Sequence, residues 1–370
     1  MYNVDRIVIK KGSPAYDYFD DIAKKAKSLY NATLFRLRNH FTAYGKTSLT
    51  ANEQAVEDEI ACFANKRPGR VISAFILQTM MVTSHNPDYY SGIPSQTAQH
   101  IVAQACDDFK NWLKALRSWK KSPSSFTGMP KMPGYDKSDG HAFLFTNQGV
   151  RIKDGTLRLP KTDISIAVRE KTGDVKQMTV SRYHGCYLLC LCQETEDIAQ
   201  ITPPSGHVAA VDFGVDNIMA VVSDTGASIL FKGGAVKAEN QYFNKRKAEL
   251  VSAITKGHAP TKHEQTHRLN ALSMHRAEWM RDTFHKMSNR LMEWCLANDI
   301  GTLVLGINKG WKQCINIGHR NNQTFVSIPF DMLRGMISYK ASRLGIKVIE
   351  QEESYTSKAS FLDNDVIPVY

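Results

Sequence analysis

The spacing of hydrophobic and polar positions changes repeatedly along the chain, and each change marks a different kind of structure. Val4 to Lys10 alternate basic and apolar residues and predict a strand whose partner lies far away in sequence. Gly12-Ser-Pro14 ends it, with Ser13 suited to cap a helix and Pro14 suited to its first position. Phe19, Ile22, Ala26, Leu29, Tyr30, Leu34 and Leu37 then recur at three- and four-residue steps, the period of a long helix. Further helices are predicted at Glu53 to Phe63, at Val71 to Thr83 and from about Pro94 to Trp119. The last carries Ile101, Val102, Ala105, Phe109, Trp112, Leu113 and Leu116 on one face.

From Lys120 to Gly134 the chain is rich in Pro, Ser and Gly, which excludes helix. Short strands follow: Ala142 to Thr146, Val150 to Ile152, Thr156 to Leu159, Ile164 to Val168, Lys176 to Arg182 and Tyr187 to Gln193. Their spacing is that of a small β-barrel, and Val4 to Lys10 is the strand that would complete it. The helical third is then an insertion in the barrel. After the linker Ile201-Thr-Pro-Pro-Ser-Gly206 comes Val208 to Val211, a wholly apolar run that predicts a strand buried on both faces. Asp212 stands at its end, and Ile218 to Val222 and Ala227 to Phe231 complete a hairpin sheet. Helices at about Ala238 to Ile254 and Lys262 to Ala297, a strand at Thr302 to Gly306, a helix at about Pro329 to Leu344 and a strand at Lys347 to Glu350 close the series. The class is α+β and multidomain.

Composition narrows the partners. Across 370 residues Lys and Arg exceed Asp and Glu by enough to give a formal charge of +11, spread along the chain, and this favours a polyanion such as nucleic acid. No run of about 18 apolar residues is present, so no membrane partner is expected. The opening Met-Tyr-Asn-Val-Asp-Arg lacks the apolar core of a signal peptide, and the expected location is the cytoplasm. The 7 cysteines include no CxxC pair, so reduced thiols and no zinc site are expected. His263 and His267 are the pair with helical metal-ligand spacing on the long helix, with no carboxylate placed to help them, and no metal site is assigned there. Lys24, Lys27, Arg36 and Arg38 decorate the first helix, either as a line of phosphate contacts or as a solvated face. Gln96 and Gln99 open another, either to read an adenine edge or as a solvated helix start.

Asp212 also admits two readings: a residue that merely ends a strand, or the first metal ligand of a ribonuclease-H-like nuclease, where a carboxylate stands on the first strand of a hairpin sheet. Metal-dependent phosphodiester cleavage needs carboxylates converging from separate strands. The position after Thr302-Leu-Val-Leu305 that would supply a second is Gly306, and the next carboxylates in a comparable place are Glu352 and Glu353.

At these residues the sequence resembles the TnpB family, transposon-encoded RNA-guided DNA nucleases related to type V CRISPR effectors and Fanzor proteins. The resemblance runs through Val211-Asp-Phe-Gly-Val-Asp-Asn217, Asn240 to Arg246, Gly301 to Gln313, Asn322 to Pro329 and Glu353 to Leu362. Weaker blocks lie at Pro94 to Gln99 and Gly128 to Tyr135. It implies a wedge β-barrel (1–13 and 121–206) interrupted by a helical recognition lobe (14–120). A RuvC-like domain (207–370), truncated and without a zinc ribbon, follows. It implies a guide RNA and double-stranded target DNA as partners, paired as an RNA–DNA heteroduplex. Candidate nucleic-acid contacts are Lys24, Lys27, Arg36, Arg38, Gln96, Gln99, Lys131, Tyr135, Lys309, Trp311, Lys312, Arg320, Asn322 and Gln323. Trp311 is either a stacking platform or a core residue.

In the branch of the family with Gly at the Gly306 position, the catalytic glutamate is relocated to the block that here begins at Glu353. Active relatives continue into a zinc ribbon and a last Asp-containing motif, and Ser354 to Tyr370 hold neither. The expectation is therefore a nuclease-dead relative of the RNA-guided repressor (TldR) type. Asp212 and Glu353 would be a vestigial pair, with divalent metal weakly held or not required. The alternative is an active RNA-guided endonuclease whose C-terminal part is missing from these residues.

Overall fold

The computed structural model describes residues 2–168, 174–194, 206–255, 266–307 and 327–353. It divides into two compact units, Met1–Glu196 and Asp197–Tyr370.

In the first unit β1 (Tyr2–Ile9) is followed by α1 (Pro14–Ala43), α2 (Ala51–Phe63), α3 (Ala74–Thr83) and α4 (Ser95–Lys121). Strands β2 (Phe143–Thr146), β3 (Arg151–Lys153), β4 (Thr156–Arg158), β5 (Ser165–Ala167), β6 (Asp174–Tyr183) and β7 (Cys186–Glu194) complete it. Side-chain caps set the helix starts. Ser13 accepts from Tyr16 N with Pro14 at the first position of α1, as expected. Thr50 and Glu53 form a reciprocal capping box, which moves the start of α2 ahead of the expected Glu53. Ser73 caps α3, which begins after the expected Val71.

The lone strand β1 finds its distant partner in β7, antiparallel from Tyr2↔Glu194 to Ile9↔Tyr187. The helices are therefore inserted between two strands of one sheet, ordered β1-β7-β6-β2. The expected barrel takes another form. β3, β4 and β5 make a separate three-stranded sheet, and no hydrogen-bonded closure joins the two sheets among the described residues. The inner face of α1 is as the periodicity required, with Phe19, Ala26, Leu29 and Leu34 fully buried. Phe19 packs its ring against Phe143 and Tyr187 of the four-stranded sheet.

In the second unit β8 (His207–Asp212), β9 (Asn217–Ser223) and β10 (Ser228–Lys232) form antiparallel hairpins. α5 (Gly234–Thr255), α6 (His267–Ala297), β11 (Ile300–Ile307), α7 (Phe330–Arg343) and β12 (Lys347–Glu352) follow. β11 lies parallel to β8 and β12 parallel to β11, giving the order β10-β9-β8-β11-β12. Met280, Phe284 and Leu291 of α6 and Leu333 and Ile337 of α7 join one core with Ala209, Val211, Leu303 and Leu305 of the sheet. β8 departs from its expectation. Val208 is 38% exposed and Ala210 is exposed, so the strand is buried on one face and open on the other. The four-residue apolar run has no alternation to reveal this, because small and branched apolar residues occupy both faces.

Candidate carboxylate site and nucleic-acid interface

Asp212 lies on the open face of the sheet, two residues beyond Ala210 and four beyond Val208. Leu305 of β11 pairs with Val211, so Asp212 and Gly306 stand one step further along neighbouring parallel strands. On the other side of β11, Gly306 pairs with Gln351 and Ile307 with Glu352. Glu353 extends this ladder by one residue, its N–H donating to Ile307 O at 2.8 Å. Both carboxylates thus sit at the carboxyl ends of parallel strands, where open α/β sheets commonly place their sites.

Gly306 is what lets Glu353 occupy this position. A Cβ on residue 306 would lie 2.6 Å from Glu353 Oε2 and closer still to Oε1 and Cδ. Burial raises the Glu353 carboxyl above its usual range, and the charge of Asp212 raises it further. The turn after Asp212 is held from two sides. Phe213 contacts the Phe330 ring at the start of α7, with centroids 6.0 Å apart. Gly233 donates its N–H to Asp216 O at 2.7 Å, and a Cβ there would strike the carbonyl oxygen of Val215. Asp216 itself is paired with Lys237 of α5, not with the carboxylates.

Two like charges meeting in a partly buried place make a donor set that suits a hard divalent cation, whose charge removes their repulsion. Asp212 and Glu353 are the side chains that would hold it. Among the described residues no group of three or more His, Cys, Asp or Glu has the arrangement of a metal site.

The basic residues on α1 have definite partners. Lys24 pairs with Asp20 at 2.7 Å, and Arg36 grips Glu59 of α2 with Nη2 at 2.8 Å and Nε at 2.9 Å. Lys27 donates to Ser138 O at 2.9 Å, and Arg38 donates to Pro133 O while stacking over the Tyr135 ring at 5.4 Å. Asn31, between them, donates to Asp136 O at 3.0 Å and accepts from Asp136 N at 2.7 Å. One face of α1 therefore straps down the extended segment that the Pro-rich composition ruled out of helix. Tyr135 and Lys131 are exposed on that strap. Gln96 bonds Gln148 and Thr146 at the end of β2, and Gln99 accepts from Gln78 Nε2 through its backbone carbonyl. Lys309, Trp311, Lys312, Arg320, Asn322 and Gln323 lie outside the described residues, as does His263.

Sequence reasoning missed Arg276. It donates to Asn240 Oδ1 through Nε at 2.9 Å and Nη2 at 2.7 Å, donates to Ser327 O at 2.6 Å, and lies 4.8 Å over the Phe243 ring. It thereby ties α5 and α6 to the chain entering α7. Burial lowers its pKa, and the charge of Glu239 works against that shift. The available signal was an arginine standing inside the apolar stripe of α6.

Residues 190–312 match the model of the OrfB_IS605 family, described as a probable transposase. The TnpB-like protein ORF457 of Acidianus two-tailed virus is 31% identical over 167 residues, 43% of this chain and 35% of the viral protein's own length. The chain is similar in part to OrfB_IS605 and TnpB-like proteins. Its fold is similar to that in the cryo-EM structure of the Cas12f1-sgRNA-target DNA complex, with a TM-score of 0.53 and 13% identity over 96% of this chain and 76% of that one. A CRISPR-Cas12f ternary complex aligns with a TM-score of 0.34 at 14% identity, over 93% of this chain and 72% of that one. The family match spans β8 to β11 and so includes Asp212 and Gly306, while Glu353 lies beyond it.

Proposed function

We propose that residues 1–370 form an RNA-guided, sequence-specific DNA-binding protein that binds without cutting. A guide RNA pairs with one strand of duplex DNA beside a short motif that the protein reads, and the bound complex blocks transcription. The observation that carries this reading is the likeness, over nearly the whole chain, to a Cas12f1 bound to guide RNA and target DNA. The charge of +11 supports it, because base pairing supplies sequence specificity and the protein mainly needs basic surfaces for the phosphates. The strand order of the second unit supports a RuvC-type reading of residues 207–370, with the wedge at 1–13 and 121–206 and the recognition lobe at 14–120. The nucleic-acid-bound protein is expected in the cytoplasm, with guide RNA as its cofactor and no zinc.

Asp212 and Glu353 would give one divalent ion two charged ligands. Two-metal cleavage needs a carboxylate set that also holds the ion activating the attacking water. The pair is read here as a remnant that binds such an ion weakly.

Two measurements on one preparation test this. RNA co-purifying with the protein is sequenced, and binding is compared on matched and scrambled duplex targets. Binding restricted to the matched target and abolished by ribonuclease is expected; equal binding to both sinks the reading. The loaded protein is then held with supercoiled target plasmid in magnesium or manganese. Intact plasmid is expected, and target-dependent nicking that vanishes in Asp212→Ala would restore the endonuclease alternative.

A further inference from the structure

We propose that Arg276 is a positioning residue for Asp212, keeping its carboxylate beside Glu353 by bracing the turn that follows β8. This rests on the reading of Asp212 and Glu353 as a divalent-cation pair and adds the residue that sets their geometry. Glu353 is placed by its backbone bond to Ile307 O and by the space above Gly306. Asp212 ends its strand, so its direction depends on the turn beyond it. Like charges held close repel, and a turn free to shift would let the two carboxylates part. Two arms hold that turn. On one, Phe330 at the start of α7 is fully buried and its ring meets Phe213, with centroids 6.0 Å apart. On the other, Gly233 donates its N–H to Asp216 O at 2.7 Å, and Lys237 in the first turn of α5 pairs with the Asp216 carboxylate.

Arg276 of α6 ties these arms to each other. Its guanidinium donates twice to Asn240 Oδ1, less than two turns along α5 from Gly234, through Nε at 2.9 Å and Nη2 at 2.7 Å. The same Nη2 donates to Ser327 O at 2.6 Å, three residues before Phe330. Ile328, between them, is fully buried in a close-packed core, so a shift at Ser327 is passed on to Phe330. Asn240 is 2% exposed, and its Nδ2 has no partner among the described residues, so its oxygen carries the contact. A planar fork aimed at two oxygens at once has no equivalent in lysine. The sign of the effect separates this role from a simple charge effect. Removing a nearby cation would by Coulomb attraction alone strengthen the binding of a divalent ion, whereas losing the brace weakens it.

The test titrates manganese into the whole chain and follows the free-ion signal by electron paramagnetic resonance, well below the melting temperature of every variant. The binding of interest is the part lost in Asp212→Asn. Arg276→Met keeps a side chain over the Phe243 ring and is expected to weaken that binding about tenfold, as for other residues that orient a metal ligand. Arg276→Lys and Asn240→Leu should weaken it too, and Asn240→Asp, which keeps an oxygen for the fork, should restore it. Leu291→Ala opens a cavity in the same core about four turns along α6; it should lower the melting temperature and leave the affinity unchanged. Unchanged or tighter binding in Arg276→Met or Arg276→Lys overturns the positioning role. Hydrogen exchange at the Gly233 amide reads the turn without metal and should be faster in Arg276→Met than in Leu291→Ala. Equal protection in those two variants also overturns the inference. Faster exchange in Arg276→Met, with no Asp212-dependent manganese binding by the wild type, would uphold the brace and count against the cation pair alone.

Discussion

Glu353 bears two costs at once, partial burial and a neighbouring negative charge. Removing that charge in Asp212→Asn is expected to raise the melting temperature by about 1–2 °C in a chelator, a small gain because the group is partly solvated. Manganese should then stabilise the wild type but not Asp212→Asn or Glu353→Gln, as read by thermal shift. Gly306→Ala belongs to the same series. Its added Cβ meets the flexible end of Glu353, not backbone, so the fold should keep its stability while the manganese effect is lost. Lys340 gives a pH-dependent counterpart. Burial lowers its pKa from 10.5 to about 8, so between those values the folded state holds fewer protons than the unfolded state. Its contribution to stability therefore rises with pH across that window. Lys340→Met should be more stable than the wild type at pH 7, and the advantage should shrink from pH 8 to about 10.5, as followed by urea denaturation. Asp212 was legible in the sequence because a carboxylate ending an apolar strand breaks the pattern. Arg276 was marked only by its place in the apolar stripe of α6, and neither it nor Lys340 gave a sign of which distant carbonyl it would meet.

At the scale of elements, the strap along α1 shows why a basic stripe is a poor guide to phosphate contacts. Lys27, Asn31 and Arg38 are spent on backbone groups of Ser138, Asp136 and Pro133, residues about a hundred positions away. Local spacing fixed the helix and its buried face, but the other face was settled by a segment that no periodicity connects to it. Asn31→Ala removes both sides of its exchange with Asp136 and is expected to cost about 1–2 kcal/mol. It should also speed tryptic cleavage at Lys131 and Lys137, with helix content by circular dichroism unchanged. The caps follow the same division. The capping box at Thr50 and Glu53 was present in the letters but lies outside the apolar period, which is why the start of α2 was expected too late.

At the scale of the whole molecule, the apolar residues collect into two separate clusters, one in each compact unit. Stability should therefore be lost in parts. Phe284→Ala opens a cavity in the second cluster and is expected to cost about 3–5 kcal/mol there. Calorimetry should show one transition lowered and the other in place; a single transition shifting as a whole would mean that the units unfold together. The sequence shows this division through the Pro-rich linker Ile201 to Gly206, while its change from helical to alternating period falls inside the first unit. It conceals how the small strands sort into a four-stranded and a three-stranded sheet, because strands of three residues carry too little pattern to choose partners.

The space above Gly306 has room for one carboxyl group. An acidic side chain introduced at 306 would have to displace the one already supplied by Glu353, and a side chain lost from 353 leaves a glycine that cannot replace it. The two positions are thus coupled in space: the site takes its carboxylate from one strand or from the next, and a change at either has to be answered at the other.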